Sequence, residues 1–460
     1  MTVPGRSVAA APAAPAAPAG AADAGGRTRR AALRAGAAGL AAAGAGACGV
    51  AGPESPAAPP AKLPPVVVWA SNTGQADLPY FERFARWFEE SNPGTKVDLV
   101  LPPGEGAYEA KMITMFAGGT YPDVFHLHFS RLREFWAKGL LTPLDPYLKA
   151  GRAPMDDFIP GVLVPFRIKG QTWGLPRDNA TGVMYYNREL FAGAGAKEPD
   201  AAWQWDTEFL EAAKRTTDLN KKQFGVVFPT VTALGDQHLE ILRTWGADWY
   251  DADMKEARIN APQAVEALQF MADLRLKHRV APMPGETPAG DQFQNAWAAM
   301  TNQWQGYVRG VKLANVAFAW DVAPLFRGPR GAKAVNVVGS TGHSIPKGAK
   351  NPEAGFELTV HLVGEQVQQD MMAQGRWTTP RRSFLKYALP ADGVPKRYQE
   401  AIIDRLQQAQ GYPTAVAYAD LSAVYAAETE RVWTGGRPVK EALDAVKAQW
   451  DRLLKEFPST

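Results

Sequence analysis

Cysteine is almost absent from this sequence, since Cys48 is the only one among 460 residues. A single thiol cannot form an intramolecular disulfide, and it cannot build a zinc site from cysteines. Long apolar runs are absent as well, because no stretch after Cys48 approaches the roughly 18 residues of a membrane-spanning helix. These absences exclude a disulfide-bonded scaffold and, beyond residue 48, a series of membrane spans.

Excess charge is also absent from most of the chain. The formal net charge is +3, and residues 1–47 contain five arginines but only one acidic residue. The remainder is therefore close to neutral and has no basic stripe that would neutralise phosphates. This distribution argues against a nucleic acid as partner.

Short motifs of common catalytic classes are missing. The sequence has no H-E-x-x-H, no G-x-S-x-G and no phosphate-binding P-loop, and the S-x-x-K match at residues 383–386 lacks its companion boxes. His126 and His128 are two residues apart, but no third ligand accompanies them. We therefore expect neither a metal nor another cofactor.

The first part of the chain has the features of an export segment. Residues 1–26 are almost all Ala, Pro and Gly and cannot bury a core. The sequence T-R-R-A-A-L-R at 28–34 resembles the twin-arginine export motif, and A-G-A-C at 45–48 resembles a lipoprotein cleavage box. We expect residues 1–47 to be an export signal and residues 48–64 a linker that carries a lipid anchor on Cys48.

The body of the chain alternates predicted strands and helices. Residues 66–70 are a short apolar run typical of a buried strand, and residues 97–101 and 123–125 are predicted to be the next two strands. Apolar residues recur at helical spacing in the two segments between them, 77–91 and 107–117. This order predicts an α/β fold in which helices cover a parallel sheet.

Seven segments, in this order, resemble the signatures of the family 1 extracellular solute-binding proteins of ABC importers. They are G-G-T-Y-P-D-V-F at 118–125, G-L-L-T-P-L-D at 139–145, G-L-P at 174–176, V-M-Y-Y-N-R-E-L-F at 183–191, W-D-T-E-F at 205–209, A-A-M followed by Trp304 at 298–304, and R-W-T-T-P-R at 376–381. Two departures stand out. Asn302 and Gln303 replace a usual glycine before Trp304, and Trp377 with an additional threonine replaces a small residue.

The resemblance implies a two-lobed fold of the periplasmic-binding-protein type, similar to maltose-binding protein, with the ligand cleft between the lobes. The first lobe is expected to comprise 65–179 plus 322–364, and the second 180–321 plus 365–460. Proteins of this family capture a sugar or oligosaccharide for uptake and are not enzymes. The implied partners are the carbohydrate, the transmembrane subunits of an ABC importer and, through the lipid, the membrane. A monomer at the outer face of the cytoplasmic membrane or in the periplasm is expected.

Candidate ligand-binding residues are those that suit the two kinds of surface on a sugar. Flat aromatic rings cover its apolar C–H faces, and carboxylate, amide, hydroxyl and guanidinium groups bind its hydroxyls. The sequence contains 14 Trp, and those at breaks between predicted elements are candidates together with polar residues at strand ends and in the motifs. The set is Ser71, Asn72, Asp123, Asp178, Trp205, Trp249, Trp304, Ser340, Trp377 and Arg381.

Each candidate has a competing structural interpretation. Core packing is the competing role for every tryptophan, a turn cap for Asp178, and ordering of a strand end for Asp123. We predict that Trp304 and Trp377 form the stacking walls of the sugar site, because both follow predicted helices in loops with polar neighbours.

A secreted glycoside hydrolase is the alternative function, since it also uses tryptophan platforms. Its chemistry requires two carboxylates on either side of the scissile bond, and a sequence does not show which carboxylates come together in space. The seven ordered segments favour the binding protein.

Overall fold

The computed structural model describes residues 62–72, 77–149, 151–228, 234–375, 378–387 and 394–459. The proposed export motif, Cys48 and Trp377 lie outside the described residues. Within the described ranges, no helix has the length and apolar character needed to cross a membrane.

The strands of the described chain are short, and most of them belong to two sheets. They are β1 (Val66–Ala70), β2 (Lys96–Val100), β3 (Val124–His128), β4 (Arg167–Ile168), β5 (Gln171–Thr172), β6 (Leu175–Pro176), β7 (Ala180–Asn187), β8 (Phe224–Val227), β9 (Ala298–Trp304), β10 (Trp320–Ala323), β11 (Asn336–Gly339), β12 (Thr341–Ser344) and β13 (Ala409–Gly411).

Helices connect and cover these strands. They are α1 (Leu78–Ser91), α2 (Glu105–Ala117), α3 (Phe129–Ala137), α4 (Asp145–Leu148), α5 (Pro160–Leu163), α6 (Arg188–Gly193), α7 (Leu210–Arg215), α8 (Asp236–Thr244), α9 (Pro262–Leu276), α10 (Tyr307–Leu313), α11 (Pro352–Leu362), α12 (Glu365–Ala373), α13 (Lys396–Gln407), α14 (Tyr418–Thr429) and α15 (Val439–Glu456). Short 3-10 or π-helical segments complete them, at Met155–Asp157, Val164–Phe166, Trp205–Phe209, Leu219–Lys221, Pro329–Gly331, Arg382–Tyr387 and Glu430–Thr434.

The first sheet has the strand order β2-β1-β3-β12-β6. Strands β2, β1 and β3 are parallel, as the alternating pattern predicts, and β12 pairs antiparallel with both β3 and β6. Helix α1 buries Phe81, Phe84 and Phe88 against one face of this sheet. It ends at Ser91, and Gly94 beyond it has φ of 94°, a conformation that glycine adopts without a Cβ clash.

The second sheet has the strand order β13-β11-β7-β9-β8, and β10 also pairs with β7. The long strand β7 pairs with β11 at its start and with β10 at its end. Its side chains alternate between two hydrophobic clusters, since Met184 and Tyr186 belong to one and Val183 and Tyr185 to the other. Both faces of β7 are therefore covered, which explains its almost continuous apolar sequence.

The chain passes between the two sheets at closely spaced points. Residues 177–179 connect β6 to β7, and Ser340 alone connects β11 to β12. A later segment lies beside them, because the Asn179 N–H donates to the Thr378 carbonyl at 3.1 Å. These connections define two lobes, lobe 1 around the first sheet and lobe 2 around the second, which confirms the expected two-lobed α/β fold. At one edge of each sheet, the chain crosses to the other lobe. We use the term "hinge edge" for that edge.

Contacts of strands and helices indicate to which lobe each segment belongs. Strand β10 contains the predicted boundary at 321/322 and pairs along its whole length with β7 of lobe 2. Helix α12 begins at the predicted boundary 364/365, yet its Val367 and Met371 share a hydrophobic cluster with Trp69 of β1. The pairing therefore favours later boundaries, at Ser340 and after Ala373, because strand and helix contacts rather than chain order hold these segments in a lobe.

Candidate functional site

The hinge edges of the two lobes bring together the ends of strands that are far apart in sequence. In lobe 1, β1 ends there at Ala70, two residues before Asn72, β3 ends there at His128, and β12 begins beside His128. In lobe 2, β7 begins there, and β9 ends there with Trp304 opposite Gly182. Carboxyl ends of parallel strands are where ligands bind in open α/β sheets. We take the space between these ends as the candidate binding cleft.

The lobe 1 wall of the cleft is polar. The Asn72 amide donates a hydrogen bond to the carboxylate of Glu105, the first residue of α2. Burial raises the pKa of Glu105, and the neighbouring Glu109 carboxylate acts in the same direction. His128 Nδ1 lies 2.7 Å from Ser130 Oγ, and burial lowers the pKa of His128 to about 4, so the ring is neutral at pH 7. Amide, carboxylate and imidazole groups are therefore available to sugar hydroxyls.

The lobe 2 wall carries an aromatic platform. Trp304 is 38% exposed, and it is the only exposed tryptophan among the described residues. The next residue, Gln305, anchors the chain after Trp304, because its Oε1 accepts a hydrogen bond from the Thr181 N–H at 2.7 Å. The Gln305 carbonyl accepts from the hydroxyls of Tyr185 and Tyr398 at 2.9 and 2.7 Å. The sequence predicted that Trp304 lies in a loop after a helix, but it is the last residue of β9. An exposed indole at the end of an anchored strand is suited to stacking on an apolar ring face.

A polar cluster adjoins Trp304 on the same face of β9. A Cβ at Gly182 would lie 3.3 Å from Asn302 Oδ1 and 3.6 Å from atoms of Gln237 and Glu240. Asn302 Oδ1 has no hydrogen-bond partner among the described residues. Glu240 is buried and lies 3.7 Å from the guanidinium of Arg405. Among the residues of this cluster, only Asn302 is identified from the sequence, as a departure from the family pattern.

Asp178 and Ser340 lie at the hinge but are occupied by protein contacts. The Asp178 carboxylate accepts from Arg177 Nη2 at 2.7 Å, from the Thr341 N–H at 2.9 Å and from the Thr341 hydroxyl at 2.7 Å. Ser340 Oγ donates to the Asp178 carbonyl at 2.7 Å. Both side chains therefore tie the two crossing segments together.

Asp123 and Ser71 also make backbone contacts. Asp123 precedes β3, so it lies at the opposite end of that strand from the cleft, and it accepts from the N–H groups of Val68 and Asn351 at 2.9 and 2.8 Å. Ser71 is fully buried at the end of β1, where its N–H donates to the Val100 carbonyl at 3.0 Å. Asp123 orders the start of the sheet rather than the cleft.

Two of the candidate tryptophans are in the core of lobe 2. Trp205 is buried and packs edge-on against Phe326 at 5.1 Å between ring centroids. Trp249 has no exposed surface, and its indole N–H donates to His238 Nδ1 at 2.9 Å. Both tryptophans lie at breaks between predicted elements, but the segments that carry them fold into the core.

Arg381 holds the third connecting segment to lobe 1. Its Nε donates to Asp157 Oδ2 at 2.8 Å, and its Nη1 donates to the Val363 carbonyl at 3.2 Å. Of the predicted residues within the described chain, the structure places Asn72 and Trp304 at the cleft with accessible side chains. The role of Trp377 stays a prediction. The described residues contain no group of three or more His, Cys, Asp or Glu that could hold a metal.

Two lobes, a hinge between them and a cleft with polar and aromatic walls define a two-lobed binding protein. Residues 70–369 match the bacterial extracellular solute-binding protein family. The chain belongs to this family.

Solved structures with this fold cover most of the chain. An ABC substrate-binding protein from Listeria monocytogenes in complex with cycloalternan superimposes with a TM-score of 0.75 at 22% identity, over 85% of this chain and 99% of that one. Maltose-bound MalE3 of T. maritima superimposes with a TM-score of 0.69 at 23% identity, over 85% and 100%. At identities this low, the two superpositions establish the fold alone.

Curated relatives align over shorter segments. A putative binding protein of Brucella abortus is 34% identical over 152 residues, which are 32% of this chain and 34% of that protein. The arabinooligosaccharide-binding protein of Halalkalibacterium halodurans is 24% identical over 236 residues, half of each chain. The chain thus aligns with between a third and a half of the length of these relatives.

Proposed function

We propose that this protein captures a sugar or oligosaccharide outside the cytoplasm and delivers it, unchanged, to the transmembrane subunits of an ABC importer. The observation that carries the proposal is the exposed Trp304 at the hinge edge of lobe 2, beside the polar cluster of Asn302. A carbohydrate has an apolar face for the indole and hydroxyls for the Asn72 and Glu105 side of the cleft. A monomer suffices, because each lobe supplies one wall.

The names of similar proteins support the same substrate class. The Listeria structure holds cycloalternan, the T. maritima structure holds maltose, and the Halalkalibacterium relative is an arabinooligosaccharide-binding protein. The sn-glycerol-3-phosphate-binding protein of Yersinia pseudotuberculosis, 22% identical over 80% of this chain, is named for a phosphorylated polyol, and this is the alternative ligand class.

Binding without turnover is the expected behaviour. Calorimetric titration with a panel of saccharides should find at least one that binds, and chromatography of the same mixture should recover that saccharide intact. A ligand at about 100 times its dissociation constant should also add about 2.7 kcal/mol to the free energy of unfolding. Hydrolysis of the bound saccharide would favour the glycoside hydrolase. Binding of glycerol-3-phosphate in place of every saccharide would overturn the carbohydrate assignment.

We further propose that the mature chain begins at Cys48 and is held to the membrane by lipid on that residue. The proposal rests on the R-R pair at 29–30 and on the small residues before Cys48. Intact-mass analysis of the protein extracted from its native membrane should show an N-terminal diacylated cysteine. The Cys48→Ala variant should appear in the soluble extracellular or periplasmic fraction. A wild-type protein without lipid, or with a different mature start, would contradict the proposal.

A further inference from the structure

A groove runs between helices α2 and α3 of lobe 1, with β3 as its floor. The polar residues that line it are Glu105 and Glu109 of α2, His126 and His128 of β3, and Arg131 of α3. Both helices begin at the hinge edge, because the strands that precede them, β2 and β3, end there. The groove therefore opens from the lobe 1 wall of the cleft, where Glu105 and His128 lie.

Two carboxylates share one side of α2. Glu105 and Glu109 are four residues apart, so they are neighbours on the helix surface, and like charges at this spacing destabilise a helix. A carboxylate in the first turn interacts favourably with the helix dipole, which accounts for an acidic residue at 105. The dipole does not account for Glu109, which lies one turn further along. The second carboxylate instead increases the negative charge of the groove.

The cations of the groove do not cancel this charge. Arg131 Nη1 lies 3.5 Å from Glu109 Oε1, but its Nε is closer to another carboxylate, at 2.9 Å from Glu134 Oε2. Glu134 also pairs with Lys138 at 2.6 Å. Two cations thus face three carboxylates, those of residues 105, 109 and 134, and one negative charge remains.

The other cation near the groove is neutralised elsewhere. Arg177 acts on Glu105 through its charge, but its Nη2 pairs with the buried carboxylate of Asp178 at 2.7 Å. Burial and the Glu109 carboxylate raise the pKa of Glu105 in spite of Arg131 and Arg177. The two carboxylates of α2 therefore have too little positive charge around them.

The floor of the groove holds a buried polar atom without a partner. His126 is 3% exposed, and its Nδ1 makes no hydrogen bond within the described part of the chain. Its ring meets that of Tyr108, which lies between the two carboxylates along α2, at 5.6 Å between centroids and an interplanar angle of 89°. Burial keeps the pKa of His126 well below its usual range, so the ring is neutral and one of its nitrogens carries a lone pair. A donor from a ligand would remove the cost of leaving such a group unpaired.

We infer that this groove binds the ammonium group of an amino sugar. The inference rests on the proposed function, in which Trp304 stacks on the sugar ring. An ammonium group brings a positive charge and three N–H donors, whereas the groove offers two carboxylates at its sides and a buried imidazole at its floor. A hydroxyl in the same place would leave the negative charge of Glu105 and Glu109 uncompensated. The groove thus selects the ligand by charge, and Trp304 selects it by the shape of the ring.

Sugars that differ in one substituent test the inference on the wild-type protein. Calorimetric titrations would compare glucosamine, galactosamine, mannosamine and chitosan oligosaccharides, each with its neutral hydroxyl and N-acetyl counterparts. In at least one set, the amino form should bind about tenfold more tightly than both neutral forms, because charge-assisted hydrogen bonds are stronger than neutral ones. Amino forms that bind no better than their neutral counterparts in any set would overturn the inference alone. Absence of binding in every set and in the saccharide panel would overturn the proposed function as well.

Charge variants identify the groups that give the preference. Glu105→Gln and Glu109→Gln each remove one negative charge at nearly constant shape, and each should reduce the ratio of amino-sugar to neutral-sugar affinity to within about threefold. Arg131→Gln removes a positive charge and should increase the ratio instead. Glu211→Gln removes an exposed carboxylate of lobe 2 that pairs with Arg215, and it should leave the ratio unchanged. Both carboxylates of the groove are accessible to solvent, so we expect their variants to fold. An unchanged ratio in both would overturn the assignment of the groove.

Discussion

Replacement of Trp304 by alanine is expected to weaken saccharide binding by about 30-fold, which corresponds to roughly 2 kcal/mol for the loss of one aromatic anchor. The indole is exposed on the cleft wall at the end of β9, and the next residue, Gln305, anchors the chain through contacts that the substitution does not touch. The free energy of unfolding of the ligand-free protein should therefore change little. Calorimetric titration and chemical denaturation measure the two quantities separately.

Two further variants sharpen this prediction. Trp304→Phe keeps a flat ring and should recover much of the affinity. Trp249→Ala removes a fully buried indole and should instead cost about 3–5 kcal/mol of folding stability. Normal binding by Trp304→Ala would show that this residue is not a wall of the site. Trp377→Ala is expected to behave like Trp304→Ala, as the sequence pattern predicts.

Replacement of Asp178 by asparagine should destabilise the protein by roughly 3–5 kcal/mol, because it removes the carboxylate that faces a buried guanidinium. The Asp178 carboxylate accepts from Arg177 and from Thr341, and thus joins the two crossing segments at the hinge. Chemical denaturation of the ligand-free protein measures the loss. The defect should be one of stability, with ligand affinity near normal in the fraction that folds.

The matched control is Asp253→Asn. Asp253 pairs with Lys255 at 3.1 Å, but both side chains are largely exposed, so its removal should cost less than about 1 kcal/mol. A large loss of affinity with unchanged stability in Asp178→Asn would show instead that Asp178 binds the ligand, as the sequence pattern predicted.

The polar candidates show how much of the candidate site could be predicted from the sequence. Asp178 is a candidate because it follows the G-L-P segment, where the chain is expected to leave lobe 1, and the structure places both Asp178 and Ser340 at the hinge. Their oxygens, however, accept from or donate to groups more than a hundred positions away, such as Thr341 for Asp178. Glu105 and Gln305 were not predicted as site residues, because no motif or pattern in their local sequence indicates such a role. Their position depends on α2 following β2 and on the loop after β9.

The sequence alone determined the class of this protein. The continuous apolar run at 66–70 predicted β1, because a strand buried on both faces requires it, and the alternation of strands with helical periodicity predicted that β2, β1 and β3 are parallel. Seven ordered segments predicted the family. The tertiary structure decided which side chains face the cleft. Trp249 and Trp304 are the same residue type in similar local settings, and only the packing of distant segments buries the first and exposes the second. Exposure depends on contacts between residues far apart in the chain, and local sequence does not encode those contacts.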